Sequence, residues 1–239
     1  MVEEMKLASP RTLRILGGLS AVMVVIALVL VFLVAPQERT MGEVQRIFYF
    51  HVGAAWIGAL AFLVALVTGT LYLRSGKTQY DLISLSSVEI GLVFITMVLI
   101  TGSIWARPAW NTWWVWTPRL TTATIMWLVY LAYFMLRGAV EDPNRRRRYA
   151  AVYSIVGFAS VILTFISTSI LADTHPALFF GANSPQTKGD APLAPGMRPA
   201  FFFSLLTFTV LYITFLLYRV RLEVLREHVE ALKARFLTP

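Results

Sequence analysis

Residues 13–34 read LRILGGLSAVMVVIALVLVFLV, an unbroken apolar run with one charge, Arg14, near its start. A helix rises about 1.5 Å per residue, so about 20 such residues cross the roughly 30 Å of hydrocarbon in a bilayer. Five further runs share this character: roughly Val52–Leu73, Leu82–Ile104, Thr121–Leu136, Tyr149–Leu171 and Phe201–Tyr218. The 239-residue chain is 57% hydrophobic and only 14% charged, with a mean hydropathy of +0.68. That balance excludes an ordinary soluble enzyme, a disordered chain and a fibrous repeat. The predicted fold is all-α, a polytopic membrane protein with six transmembrane helices. The first run exceeds the 7–15 residues of a signal-peptide core, and no small-residue cleavage site follows it before Pro36. It is therefore read as a retained span.

Basic residues set the direction of insertion. The N-terminal tail, the second and fourth inter-helix loops and the C-terminal tail hold 15 Lys and Arg, including the run Arg145–Arg148. The opposite side holds 6: Arg39, Arg46, Arg107, Arg119, Lys188 and Arg198. Both termini are thus predicted to be cytoplasmic. The net charge of +8 is explained by topology, and no nucleic-acid partner is needed. The arginine run is expected to anchor the chain and to touch anionic lipid of the bilayer. Residues 1–218 form the predicted membrane domain and residues 219–239 a cytoplasmic tail. In the tail, Leu222, Leu225, Val229 and Leu232 recur at helical spacing, which predicts an amphipathic helix continuing from the last span. Its two readings are a basic helix lying on the membrane and a docking helix; His228 within it is read as a solvated surface residue. The Pro- and Gly-rich stretch Ala172–Pro199 is longer than most structureless loops, and such loops are often functional.

The chemistry gathers on the side holding fewer basic residues. The predicted external loop 105–119, WARPAWNTWWVWTPR, contains Trp105, Trp110, Trp113, Trp114 and Trp116, five of the 7 tryptophans. Interfacial anchoring scatters Trp and Tyr over many helix ends, and five in one loop exceed that need. A helical turn would put Trp110, Trp113 and Trp114 on one face, and an extended segment would align Trp114 with Trp116. Either arrangement offers a flat aromatic surface, suited to a planar conjugated ligand. Anchoring at the interface and packing against helix ends are the plainer alternatives.

Of the 3 histidines, the two outside the tail lie by the membrane on this same side. His51 stands at the mouth of the second span in RIFYFHVGAAW, and His175 follows the fifth in LADTHPALFF. Taken singly, the first reads equally as an interfacial residue and the second as a solvated loop residue. Together they suggest ligation, since imidazole commonly binds iron and zinc. Zinc generally wants three or four protein ligands, and nothing resembling HExxH is present. Two axial imidazoles and an aromatic surface fit haem better. Arg107 and Arg119 flank the tryptophans and are candidate partners for its propionates; headgroup contact is their alternative. Glu89 lies inside a span near its cytoplasmic end, and a structural role is expected of it. The absence of cysteine and of a GxxxxGK[ST] motif excludes thiol chemistry and ATP hydrolysis on this chain.

The stretch TGSIWARPAWNTWWVWTPRLTT, Thr101 to Thr122, resembles the tryptophan-rich signature of the haem-handling membrane proteins of cytochrome c maturation. That signature runs approximately TGSxWxxPxWGxWWxWDxRLT. RIFYFHVGAAW and Thr174-His175-Pro176 resemble the two histidine sites of the CcmC branch, and chain length suits that branch. The resemblance implies a haem platform at Trp110, Trp113, Trp114 and Trp116, with axial ligation by His51 and His175. It implies b-type haem, transiently held on the periplasmic side of the bacterial inner membrane. The implied partners are a CcmE-like membrane-anchored periplasmic haem chaperone, CcmA-like and CcmB-like ABC transporter subunits, and a CcmD-like single-span subunit. The chain would present haem for transfer rather than act as a conventional enzyme. Two positions depart from the signature: Asn111 stands for its Gly and Thr117 for its Asp. Asn tolerates positive φ, whereas Thr removes a charge. The competing functions are a small-molecule transporter, which would show paired intramembrane charges or broken helices, and a structural permease subunit without haem.

Overall fold

The computed structural model describes residues 8–37, 42–170 and 195–237. Within them six helices are long and apolar enough to cross a membrane. They are α1 (Pro10–Val29), α2 (Ile47–Ser75), α3 (Thr78–Trp110), α4 (Pro118–Ala139), α5 (Pro143–Ile170) and α6 (Arg198–Leu237). The protein is a multi-pass, all-α membrane protein. The expected spans are all present, and most of the helices outrun the apolar runs that announced them.

The helix ends follow from local chemistry. Ser9 caps α1 by accepting from the Thr12 N–H at 3.1 Å, and Pro10 supplies the preset φ of a first helical residue. A single π turn, Leu30–Val34, closes α1, and Ala35 is extended because Pro36 follows it. At the end of α2, Gly76 takes φ +68, and its N–H bonds the Tyr72 carbonyl at 2.8 Å. That left-handed stop leaves only Gly76 and Lys77 between α2 and α3, so the two helices pack antiparallel. Asp142 starts α5, accepting from the Arg145 N–H at 2.7 Å.

α2 is the central element, packed against α3, α5 and α6, while α4 lies on α5 and α1 lies along α6. Phe62 of α2 stacks on Tyr130 of α4 within a cluster that includes Val88, Ile95 and Tyr133. Ser87 shows how a buried hydroxyl is satisfied between helices: it donates to the Ala61 carbonyl at 2.7 Å and accepts from the Tyr212 hydroxyl at 2.6 Å. With no water at that depth, such pairing is what lets polar side chains remain inside the bundle.

The two ends of the bundle differ in kind. Where α3 begins, Arg137 grips Asp81 in a two-pronged pair at 2.6 and 3.0 Å. Arg147 reaches Glu227 at 2.5 Å, and Arg219 holds Glu89 at 2.8 Å. Glu89 is thus a structural partner of α6, as expected. Arg221 also reaches the Ala8 carbonyl, so the start of α1 and the C-terminal part of α6 share this arginine end. The tryptophans lie at the other end, where α3 finishes.

Candidate functional site

α3 continues past its apolar run and carries Trp105 and Trp110 on its last turns. Pro108 lies within the helix so close to the end that only the final turn loses a hydrogen bond. The stop is Asn111, at φ 56 and ψ 24. It is the one non-glycine residue with positive φ among those described. Arg107 secures this turn, its Nη1 donating to the Asn111 carbonyl at 2.7 Å and to Oδ1 at 2.8 Å. The expected loop 105–119 is therefore shorter, confined to residues 111–117. Thr117 then caps α4 by accepting from the Leu120 N–H, with Pro118 as first helical residue.

This backbone corrects the expectation of a flat aromatic surface. Trp105 and Trp110 meet edge to face, with ring centroids 5.1 Å apart and planes at 84°. Trp114 and Trp116 do the same at 5.5 Å and 78°. The left-handed turn at Asn111 divides the stretch, so no single helical face carries Trp110, Trp113 and Trp114 together. Trp113 and Trp116 are 59% and 70% exposed, whereas Trp110 and Trp114 turn inward.

His51 sits in the second turn of α2, half-buried against α3. Gly102 permits that approach, since a Cβ there would stand 3.1 Å from His51 Cε1. The Thr101 hydroxyl lies 3.0 Å from His51 Nδ1 and donates its single proton to the Met97 carbonyl at 2.6 Å. Its oxygen is then placed to accept from the ring, an arrangement that favours the Nδ1–H tautomer of His51. The lone pair is carried by Nε2. A hydrogen bond on one ring nitrogen that orients the other is the usual support of a ligating histidine.

His51, Trp110, Trp114 and Arg119 line one cavity of about 80 Å³, floored by Ala55, Ala59, Ile95 and Met126. That is space for a few waters at about 30 Å³ each, and a tetrapyrrole is far larger. A planar ligand reaching His51 would have to lie across the mouth. Buried Trp105 and Trp114 Nε1–H groups make no hydrogen bond. The two arginines part company: Arg119 faces the cavity with its guanidinium 5.9 Å from the Phe165 ring centroid, while Arg107 is turned to Asn111. His175 lies outside the described residues, as does most of the stretch Ala172–Pro199. Thr101 and Gly102 were not singled out as site residues by sequence reasoning. Both open the Thr101–Thr122 stretch, which could have marked them, but their contact with His51 depends on the register of α2 against α3.

Comparisons with known proteins give the family. The family model described as "Heme exporter protein C" matches residues 3–235. The chain belongs to the haem exporter protein C family. It is similar to a Heme exporter protein C of Paracoccus denitrificans, 32% identical over 84% of this chain and 81% of that one. A Heme exporter protein C of Bradyrhizobium diazoefficiens is 31% identical over 93% and 83%. A putative cytochrome c biosynthesis ccmC-like mitochondrial protein of Marchantia polymorpha is 31% identical over 63% and 64%. Membership gives the two departures from the haem exporter C signature a physical meaning. Asn111 occupies a left-handed position that Gly would fill freely and Asn tolerates. Thr117 is a helix cap, a task that Asp and Thr both perform, so the lost charge does not entail a lost role.

Proposed function

We propose that this protein holds haem at the outer face of the bacterial cytoplasmic membrane and presents it to a membrane-anchored periplasmic chaperone for cytochrome c maturation. The observation that carries the reading is His51, fixed by Thr101 with its lone pair on Nε2, beside Trp110, Trp114 and Arg119 in one cavity. Family membership supplies the cargo. His51 would hold the iron, and Trp113 and Trp116, exposed at this end of the bundle, would contact the macrocycle. Arg119, which lines the same cavity as His51, would pair with a propionate, while Arg107 closes the end of α3. His175 would be the second ligand of the iron, supported by the resemblance of Thr174-His175-Pro176 to that histidine site. The haem would be b-type and transiently held, as the resemblance to the tryptophan-rich signature implies. The tryptophan end faces the periplasm and both termini the cytoplasm, in keeping with 15 basic residues against 6. CcmA-like, CcmB-like and CcmD-like subunits complete the exporter, and this chain presents haem without chemistry of its own.

Haem content and the Soret band of protein purified in mild detergent test the reading. Wild-type protein is expected to carry haem, and His51→Ala and His175→Ala each to lose most of it while still folding. Unchanged spectra in both variants would sink the ligand assignment. Co-expression with the candidate chaperone should then yield covalently attached haem on that chaperone, dependent on both histidines.

A further inference from the structure

α6 does not end with its span. The helix runs without a break from Arg198 to Leu237, and Arg219–Glu89 and Arg147–Glu227 tie it to α3 and α5 as it leaves the bundle. Residues 228–237 continue about 15 Å beyond the last tie along the same axis. Beyond Val224 no described residue is buried. A free helical extension of that length is marginal in water.

This extension carries an apolar seam. Leu222, Leu225, Val229, Leu232 and Phe236 are all exposed, and their spacing of three, four, three and four is that of positions a and d in a heptad. The e and g positions beside the seam are Arg221, Arg226, His228 and Lys233, with Arg235 next in register. None is acidic. Glu223, Glu227 and Glu230 fall at b and f, and Glu223 and Glu227 are engaged with Arg219 and Arg147. The Lys233–Glu230 pair, at 3.0 Å, is open to water and easily exchanged.

Residues at e and g choose the partner of such a seam. A second copy would set basic against basic in both the parallel and the antiparallel arrangement. A membrane surface would suit the charges, but α6 continues from its span to Leu237 without the break that would let its end lie along that surface. We propose that the projecting end of α6 docks an amphipathic helix of a partner protein whose own apolar seam is flanked by Asp and Glu. It is a docking site at the arginine end, independent of the haem reading.

The test uses the full chain in phosphatidylcholine nanodiscs and two labelled heptad peptides with Leu and Val at a and d, one with Glu and one with Lys at e and g. Fluorescence anisotropy should show the Glu peptide binding at least about tenfold more tightly than the Lys peptide. Leu232→Ser should abolish that binding, and Arg226→Glu with Lys233→Glu should reverse the preference. These residues lie on the exposed end, so thermal unfolding of the variants should match wild type and exclude a folding defect. Binding of neither peptide, equal binding of both, or self-association lost in Leu232→Ser would overturn the proposal. So would protection of the tail from protease on adding phosphatidylglycerol to the nanodiscs.

Discussion

Thr101 shows how one hydroxyl decides what a histidine can do. Its proton goes to the Met97 carbonyl, so its oxygen is left to receive the His51 Nδ1–H. Removing that acceptor lets the imidazole turn or change tautomer and leaves a half-buried N–H poorly served. Losing such an outer partner typically lowers metal affinity by about 10–100-fold. Thr101→Val, nearly the same shape, is therefore expected to weaken haem binding by that order in a titration followed at the Soret band. Thr101→Ser should retain it. Equal affinity in wild type and Thr101→Val would remove the hydroxyl from the site. A similar contrast applies at Thr117, whose oxygen caps α4. Thr117→Ala is expected to cost about 1 kcal/mol of stability, and Thr117→Asp to cost nothing. Thermal unfolding in detergent reads both. A large loss in Thr117→Asp would show that the position rejects charge and does more than cap.

At the scale of the helix, apolar length was legible and helix ends were not. Each span could be read because crossing the bilayer demands about 20 apolar residues. No such demand fixes where a helix stops. α3 runs through Pro108 to Asn111, turning part of a supposed loop into helix, and this sets the tryptophans in two perpendicular pairs instead of one plane. The histidine and the tryptophans could be found by type and side; what supports them could not, because His51 and Thr101 meet only once α2 and α3 are in register. The surroundings of the glycines at the helix crossings rank them. A Cβ on Gly69 would meet Ser154 Oγ at 2.7 Å and the Ala151 carbonyl oxygen at 3.2 Å, so backbone of α5 would have to move. On Gly58 it would collide with Ile95 Cδ1 and, at 2.6 Å, with Cγ1, side-chain atoms of a core residue that can repack without backbone of α3 moving. Overpacking costs about 1–3 kcal/mol. Gly69→Ala is expected at the upper end and Gly58→Ala at the lower, compared by melting temperature. The reverse order would mean that α2 and α5 separate more easily than α2 and α3.

Across the whole molecule, the arginine end and the tryptophan end are held by different forces. At the first, ion pairs join α3, α4, α5 and α6; at the second, tryptophan edges and His51 surround a small cavity. Asp81 is central to the first: its side chain is 3% exposed, and Arg137 and Arg147 both point at it, at 2.6 and 3.6 Å. Sequence alone could not pair them, because Arg137 and Arg147 read as two more basic residues of a cytoplasmic loop. Breaking a buried pair from one side costs about 3–5 kcal/mol, chiefly because a charge is left without its counterpart. Asp81→Asn should therefore destabilise the protein by that order, somewhat eased by the Arg147–Glu227 contact that remains. Adding Arg137→Met to Asp81→Asn removes the orphaned guanidinium and should restore much of the loss. Melting temperatures of the single and double variants measure the recovery, and a double variant no more stable than Asp81→Asn would refute the orphan-charge account. Haem content per folded molecule should stay near wild type in both, because the substitutions lie at the end of the bundle away from His51. A fall in haem content with folding intact would mean instead that the ion pairs set the pose of α3, and through it the distance between Thr101 and His51.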